Sequence, residues 1–164
     1  MQVMESAAVT MVEADSDIEA LYRADADRLW RAVYAFAGDA EIASDAVAEA
    51  YAQVLRRGSA VRDPGAWVWR TAFRISRGEL KDRRRDLSAS PTSSDDLDQY
   101  ADADLLRAVR QLPEGQRAAV ILFYYADLPA RQIADRLGTN SLAVRANLSR
   151  GRRRLRELLG DRDE

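Results

Sequence analysis

Apolar side chains recur every three or four positions along most of this chain, and no stretch alternates with a period of two. That pattern predicts helices and no sheet. Ile18, Leu21, Tyr22, Leu29, Val33 and Phe36 lie at near-helical spacing behind Ser16 or Asp17, either of which can cap a helix, and Gly38 ends it. Asp39 opens a second helix with Ala43, Val47, Ala50, Tyr51 and Val54 on one face. Its other face carries Asp45, Glu49, Gln53, Arg56 and Arg57, and Gly58-Ser59 closes it. Asp63-Pro64 supplies a capping acid and a first-turn proline for a third helix. There Trp67, Val68, Thr71, Ala72 and Ile75 make an inward face, while Trp69, Arg70, Phe73, Arg74 and Arg77 fall largely outside it. Gly78 weakens a helix by about 1 kcal/mol relative to alanine, so a break is expected there. Stripes of this width need partners, and the three helices are expected to bury them against one another.

Residues 1–15 show no apolar period and read as a disordered acidic tail, leaving residues 16–85 as the first helical domain. Residues 86–103 are rich in Ser and Asp and read as a flexible acidic linker. The second domain spans residues 104–160. It begins with a short amphipathic helix carrying Leu105, Leu106, Val109 and Leu112, and a helix from Pro113 follows until Leu128-Pro129 breaks it. Residues 129–156 (PARQIADRLGTNSLAVRANLSRGRRRLR) then have the spacing of a helix-turn-helix. Ala134 sits where a large side chain would separate the two helices, and Gly138 sits at the turn that needs φ > 0. Val144, with Ile133, Leu137 and Leu148, completes a small core. Such a unit lays its second helix in the DNA major groove. A plain helical hairpin with a solvated basic face is the competing reading.

Charge sharpens this picture. The net formal charge of the 164 residues is only −2, yet it is strongly segregated. Residues 1–27 carry a net −6, residues 67–85 a net +5 and residues 129–156 a net +7, while residues 86–104 hold six aspartates and no base. Two basic blocks separated by an acidic strap suggest two contacts with one polyanion. In the first block, rings interleaved with arginines suit single-stranded nucleic acid, because bases stack on rings while guanidinium groups hold phosphates. Packing of Trp69 and Phe73 on the first helix is the alternative. The chain has no cysteine and no histidine, which removes disulfides, thiolate metal sites and the commonest general base. No metal or other cofactor is expected. No apolar run reaches membrane-span length and no signal pattern opens the chain, so a cytoplasmic protein without membrane insertion is expected.

In order and spacing, LYRADADRLWRAVYAFAGDAEIASDAVAEAYAQVLRR, DPGAWVWRTAFRISRGELKDRRR and LPEGQRAAVILFYYADLPARQIADRLG resemble the extracytoplasmic-function sigma factors of bacterial RNA polymerase. The resemblance covers residues 18–85 and 104–159. It implies an all-α protein that is no enzyme but a transcription initiation factor, monomeric when free. Its implied partners are core RNA polymerase, promoter DNA and an anti-sigma factor. By the same resemblance, Asp45, Glu49 and Gln53 would dock on the polymerase clamp. Trp69, Arg70, Phe73, Arg74 and Arg77 would open the minus-ten element and hold its non-template strand, and the linker would thread toward the RNA exit path. Arg145, Ser149, Arg150 and Arg153 would contact the minus-thirty-five duplex.

The chain departs from the family pattern at several positions. Arg74 stands where asparagine is frequent, Gly78 where a polar or acidic residue is, Ala48 where glutamine is and Leu55 where tryptophan is. Ser141-Leu142-Ala143-Val144-Arg145 replaces Glu-Gly-Thr-Val-Lys, and Gly151 replaces alanine. Two rivals follow: a stand-alone helix-turn-helix regulator, and a sigma-like decoy that binds an anti-sigma factor without starting transcription.

Overall fold

The computed structural model describes residues 2–86 and 103–160. Seven helices follow one another: α1 (Gln2–Ala37), α2 (Ala40–Arg57), α3 (Pro64–Arg85), α4 (Ala103–Arg110), α5 (Glu114–Val120), α6 (Ala130–Leu137) and α7 (Ser141–Gly160). A 3₁₀ turn (Gly58–Ala60) follows α2, and α5 widens into a π-turn over Ile121–Tyr125. Among the described residues there is no strand.

The helix boundaries follow from side-chain chemistry. The Asp39 carboxylate accepts from Ile42 N (3.0 Å) and that of Asp63 from Ala66 N (3.1 Å), each satisfying an otherwise orphaned first-turn donor. Pro64 occupies the first turn of α3. Pro129 precedes α6, Gly138 ends it in the left-handed conformation (φ 68°), and the Asn140 side chain caps α7 through Ala143 N (2.9 Å).

Two expectations are corrected. Helix α1 begins at Gln2, not behind Ser16, so the disordered acidic tail is a helix from its second residue. The segment contains no glycine or proline and is rich in alanine, methionine and glutamate, all good helix formers. Met4, Val9, Met11 and Val12 are exposed there, which explains why the segment has no core-facing period. Helix α3 also runs unbroken through Gly78 to Arg85. Its packed turns before that point outweigh the modest propensity cost of one exposed glycine. Of the linker, Asp86 is described and has left the helix, Ala103 already belongs to α4, and residues 87–102 lie outside the described residues.

Helices α1, α2 and α3 form one three-helix unit around Leu29, Val33, Ile42, Val54 and Val68. Helices α4 to α7 form the second around Leu122, Ile133, Val144 and Leu148. The two units also pack on each other, and their buried residues join in one continuous hydrophobic cluster. Helix α3 touches α6, and α1 touches α4, α5 and the π-turn. Arg117 is buried in this seam: its guanidinium lies over the Phe36 ring at 4.7 Å and donates to Arg110 O (3.0 Å). Burial pushes its pKa down, and the nearby Glu114 carboxylate opposes that shift. Gly38 (φ 69°) turns α1 into α2 directly under Arg110, where a Cβ would overlap the guanidinium.

Candidate nucleic-acid interface

The second unit presents its basic surface on α7. Val144, Leu148 and Gly151 are buried and fix one side of the helix against α5 and α6. That leaves Arg145, Ser149, Arg150 and Arg153 exposed on the outward side. The four lie within little more than two turns of helix. A notch of about 380 Å3 opens beside them, lined by Pro113, Gln116, Arg150, Arg153, Arg154 and Glu157. Arg154 is paired with Glu157 at 3.1 Å. Arg152 leaves this surface, because its guanidinium lies over Phe123 (5.4 Å) and Tyr124 (5.6 Å). Gly151, which replaces the family's alanine, has a packing cause: a Cβ there would stand 2.9 Å from Val120 Cγ2. Leu142, 77 % exposed at the start of α7, is a candidate contact that charge-based reading overlooks.

The basic surface of the first unit is built differently. Arg70, Arg74 and Arg77 are exposed on α3, as the sequence predicts. Trp69 and Phe73 are not: their exposures are 1 % and 2 %, so the expectation that both rings fall outside the core is corrected. The cause is a second packing partner. Helices α1 and α2 cover one side of α3, and α6 covers another. Trp69 Nε1 donates to the Asp25 carboxylate at 2.6 Å, and the Arg136 guanidinium lies 5.0 Å from the ring centroid on α6's side. Phe73 packs at 5.2 Å on Phe36, which matches the weighed alternative of packing on the first helix. The arginines are engaged as well. Arg70 donates through Nε (3.0 Å) and Nη2 to the Asp135 carbonyl oxygen of α6. Arg77 and Arg84 each reach Glu114 at 3.6 Å.

On α2, Asp45 and Glu49 are exposed and Gln53 is half-buried. The Glu49 carboxylate accepts from Gln53 (2.8 Å) and Arg56 (3.0 Å), and these bonds, the Gln53 bond first, hold its pKa below the usual carboxylate value. Glu79 on α3 is raised instead, chiefly by burial and next by the charge of Asp45. Arg83 ties the start of α2 to α3 by pairing with Asp39 and Glu41.

A third feature is apolar. A groove of about 770 Å3 runs between the units, lined among others by Ala35 of α1, Leu105 and Leu106 of α4, Tyr124 and Tyr125 of the π-turn and Leu155 of α7. Arg152 and Arg156 of α7 also line it. Among the described residues no group of acids could hold a metal ion, and no helix is long and apolar enough to cross a membrane.

Comparison with known proteins agrees with this architecture. The family described as Sigma-70, region 4 matches residues 102–155, which contain all of α4 to α6 and most of α7. The chain is 30 % identical over 155 residues to ECF RNA polymerase sigma factor SigE of Mycolicibacterium smegmatis, covering 85 % of this chain and 60 % of the relative. It is 25 % identical over 142 residues to RNA polymerase sigma factor SigV of Bacillus subtilis, covering 82 % and 86 % of the two chains. The sigma factor RpoE from Bartonella quintana, solved in complex with the anti-sigma factor NepR, shares the fold with a TM-score of 0.71 at 19 % identity, over 88 % of this chain and 97 % of that one. The chain thus spans about 60 % of the length of the Mycolicibacterium relative and most of the length of the other two. By these matches residues 102–155 belong to the Sigma-70, region 4 family, and the chain as a whole is similar to the extracytoplasmic-function (ECF) sigma factors.

Proposed function

We propose that this protein is a transcription initiation factor that binds core RNA polymerase in the cytoplasm, selects promoter DNA and helps to open it. One observation carries the reading: two separate arginine-rich surfaces, on α3 and α7, stand on two helical units with an acidic stretch of sequence between them. Each surface suits a different form of DNA. Arg145, Ser149, Arg150 and Arg153 project from an exposed helix and meet the minus-thirty-five duplex in its major groove and along its backbone. Arg70, Arg74 and Arg77 hold the phosphates of the opened minus-ten strand, with Trp69 and Phe73 available as stacking surfaces once α6 has moved away.

No covalent chemistry is assigned to the chain. Opening is driven by tighter binding to the separated strand than to the duplex, which offsets unstacking of a few kcal/mol per displaced base. Asp45, Glu49 and Gln53 form the polymerase-facing side of α2, where carboxylates set orientation and partner choice more than affinity. The apolar groove between the units is the docking surface for an anti-sigma factor, in keeping with the complex in which the Bartonella relative was solved.

Run-off transcription with purified core polymerase tests this reading. Addition of the protein should start transcripts from a cognate promoter. Arg70→Ala combined with Arg74→Ala should abolish them while polymerase binding persists. Unchanged transcription by the double variant would remove the strand-holding role. Tight, sequence-specific promoter binding without polymerase would favour a stand-alone regulator.

A further inference from the structure

We propose that Leu142 is a specificity-determining residue of the minus-thirty-five contact and reads the C5-methyl group of a thymine in the major groove. The proposal rests on the promoter-binding reading above and names the base that one side chain of α7 selects. It is carried by where Leu142 stands on that helix. Val144, Leu148 and Gly151 face the core. Leu142 does not share their side and is 77 % exposed. Ser149 and Arg153, both exposed, follow it by seven and eleven positions, close to two and three whole turns at 3.6 residues per turn. The three therefore lie on one line along the outward side, about 17 Å long. Arg145, three positions on, and the half-buried Ala146, four on, flank that line.

The start of the helix is fixed as well as aimed. The Asn140 side chain accepts from Ala143 N at 2.9 Å, and its carbonyl oxygen accepts from Val144 N at 3.1 Å. Leu142 sits within this capped first turn. A leucine exposed singly is common on protein surfaces. This one stands where a helix-turn-helix brings the N-terminal residues of its second helix to base edges.

Chemistry then selects the base. Leucine neither donates nor accepts a hydrogen bond, and it has no charge for a phosphate. Guanine, adenine and cytosine present hydrogen-bonding groups at the major-groove edge, and thymine adds its methyl group. Against N7, O6 or N4, leucine would strip water from a polar group and give no bond in return. Against the methyl it buries carbon on carbon. The preference thus has an attractive part and a repulsive part.

The test removes a single methyl group. A cognate promoter fragment is randomised across its minus-thirty-five element and prepared twice, with thymidine or with deoxyuridine in that element. Each pool is bound to the complex of this protein with core polymerase, and the bound sequences are counted. The parent should enrich thymine about tenfold at one position, and uracil there about fourfold less than thymine. Leu142→Ala should erase both differences at that position while leaving the other positions and the dependence on salt unchanged. Leu142→Met, which keeps a large apolar side chain, should retain them. Equal enrichment of thymine and uracil by the parent would overturn the assignment, as would a difference that Leu142→Ala keeps. A loss in Leu142→Ala that is uniform across sequences would overturn it too, because that marks a backbone contact. Arg145→Ala separates this failure from that of the promoter reading. If it weakens upstream binding while the methyl is ignored, only Leu142 is misassigned; if neither variant alters binding at any upstream sequence, the promoter reading falls as well.

Discussion

Helices α3 and α7 are both long, arginine-rich and capped by a polar side chain, yet they end in opposite situations. Helix α7 buries one side, on Val144, Leu148 and Gly151, and leaves the rest to solvent. Helix α3 buries Val68, Thr71 and Ala72 together with Trp69, Phe73 and Ser76, because helices cover it from two directions. The difference teaches that charge density alone does not make a surface available. Arg145 and Arg150 face outward, whereas Arg70 is engaged by a backbone carbonyl of the other unit.

The largest expected effect breaks the symmetry of the two helices. Trp69→Ala removes a ring that is 1 % exposed, and should cost about 3–5 kcal/mol in urea unfolding. Leu142→Ala on α7 removes a side chain that is 77 % exposed and should stay within about 0.5 kcal/mol of the parent. Equal effects would mean that the two helices do not differ in packing. Next in size is Gly151→Ala, whose new methyl meets Val120 at 2.9 Å; the overpacking should cost about 1–3 kcal/mol and be relieved by adding Val120→Ala.

A comparable loss is expected in binding rather than folding when α7's outward side is altered. Arg145→Ala should weaken binding of the polymerase complex to its minus-thirty-five element by about 1–3 kcal/mol and relax sequence preference there. Arg153→Ala should instead lower the dependence on salt by about one unit of slope at every sequence. The smallest effect lies at Glu79 on α3, whose pKa is raised by burial and by Asp45. A raised carboxylate pKa means that folding favours the protonated form. Its contribution is therefore present below the unfolded pKa and is lost as pH rises through the folded one. Glu79→Gln should match the parent in acid and gain on it, by less than about 1 kcal/mol, as pH rises through the carboxylate range.

Local structure was legible in the sequence because its determinants are local. Asp39 and Asp63 each cap a helix three residues on, and Ala134, Gly138 and Val144 lie within one short motif whose spacing carries its geometry. The exposure of Arg145, Ser149, Arg150 and Arg153 on α7 followed from the same logic, since Val144, Leu148 and Gly151 turn the other side of that helix inward. What sequence periodicity could not carry was the second cover on α3. The residues that bury Trp69, namely Asp25 and Arg136, are separated from it by 44 and 67 positions in the chain and leave no pattern beside it. The helical start of α1 was hidden for the converse reason. Met4, Val9, Met11 and Val12 in its first turns are exposed, so no core-facing apolar stripe marks them.

The central claim is that two basic surfaces on separate units grip one promoter at two places. A nuclease footprint of the complex of this protein with core polymerase on a cognate promoter tests it most directly. Protection at both the minus-ten and minus-thirty-five elements is expected, with Arg145→Ala thinning only the upstream patch and Arg74→Ala only the downstream one. Protection confined to a single patch, indifferent to one of the two variants, would contradict it.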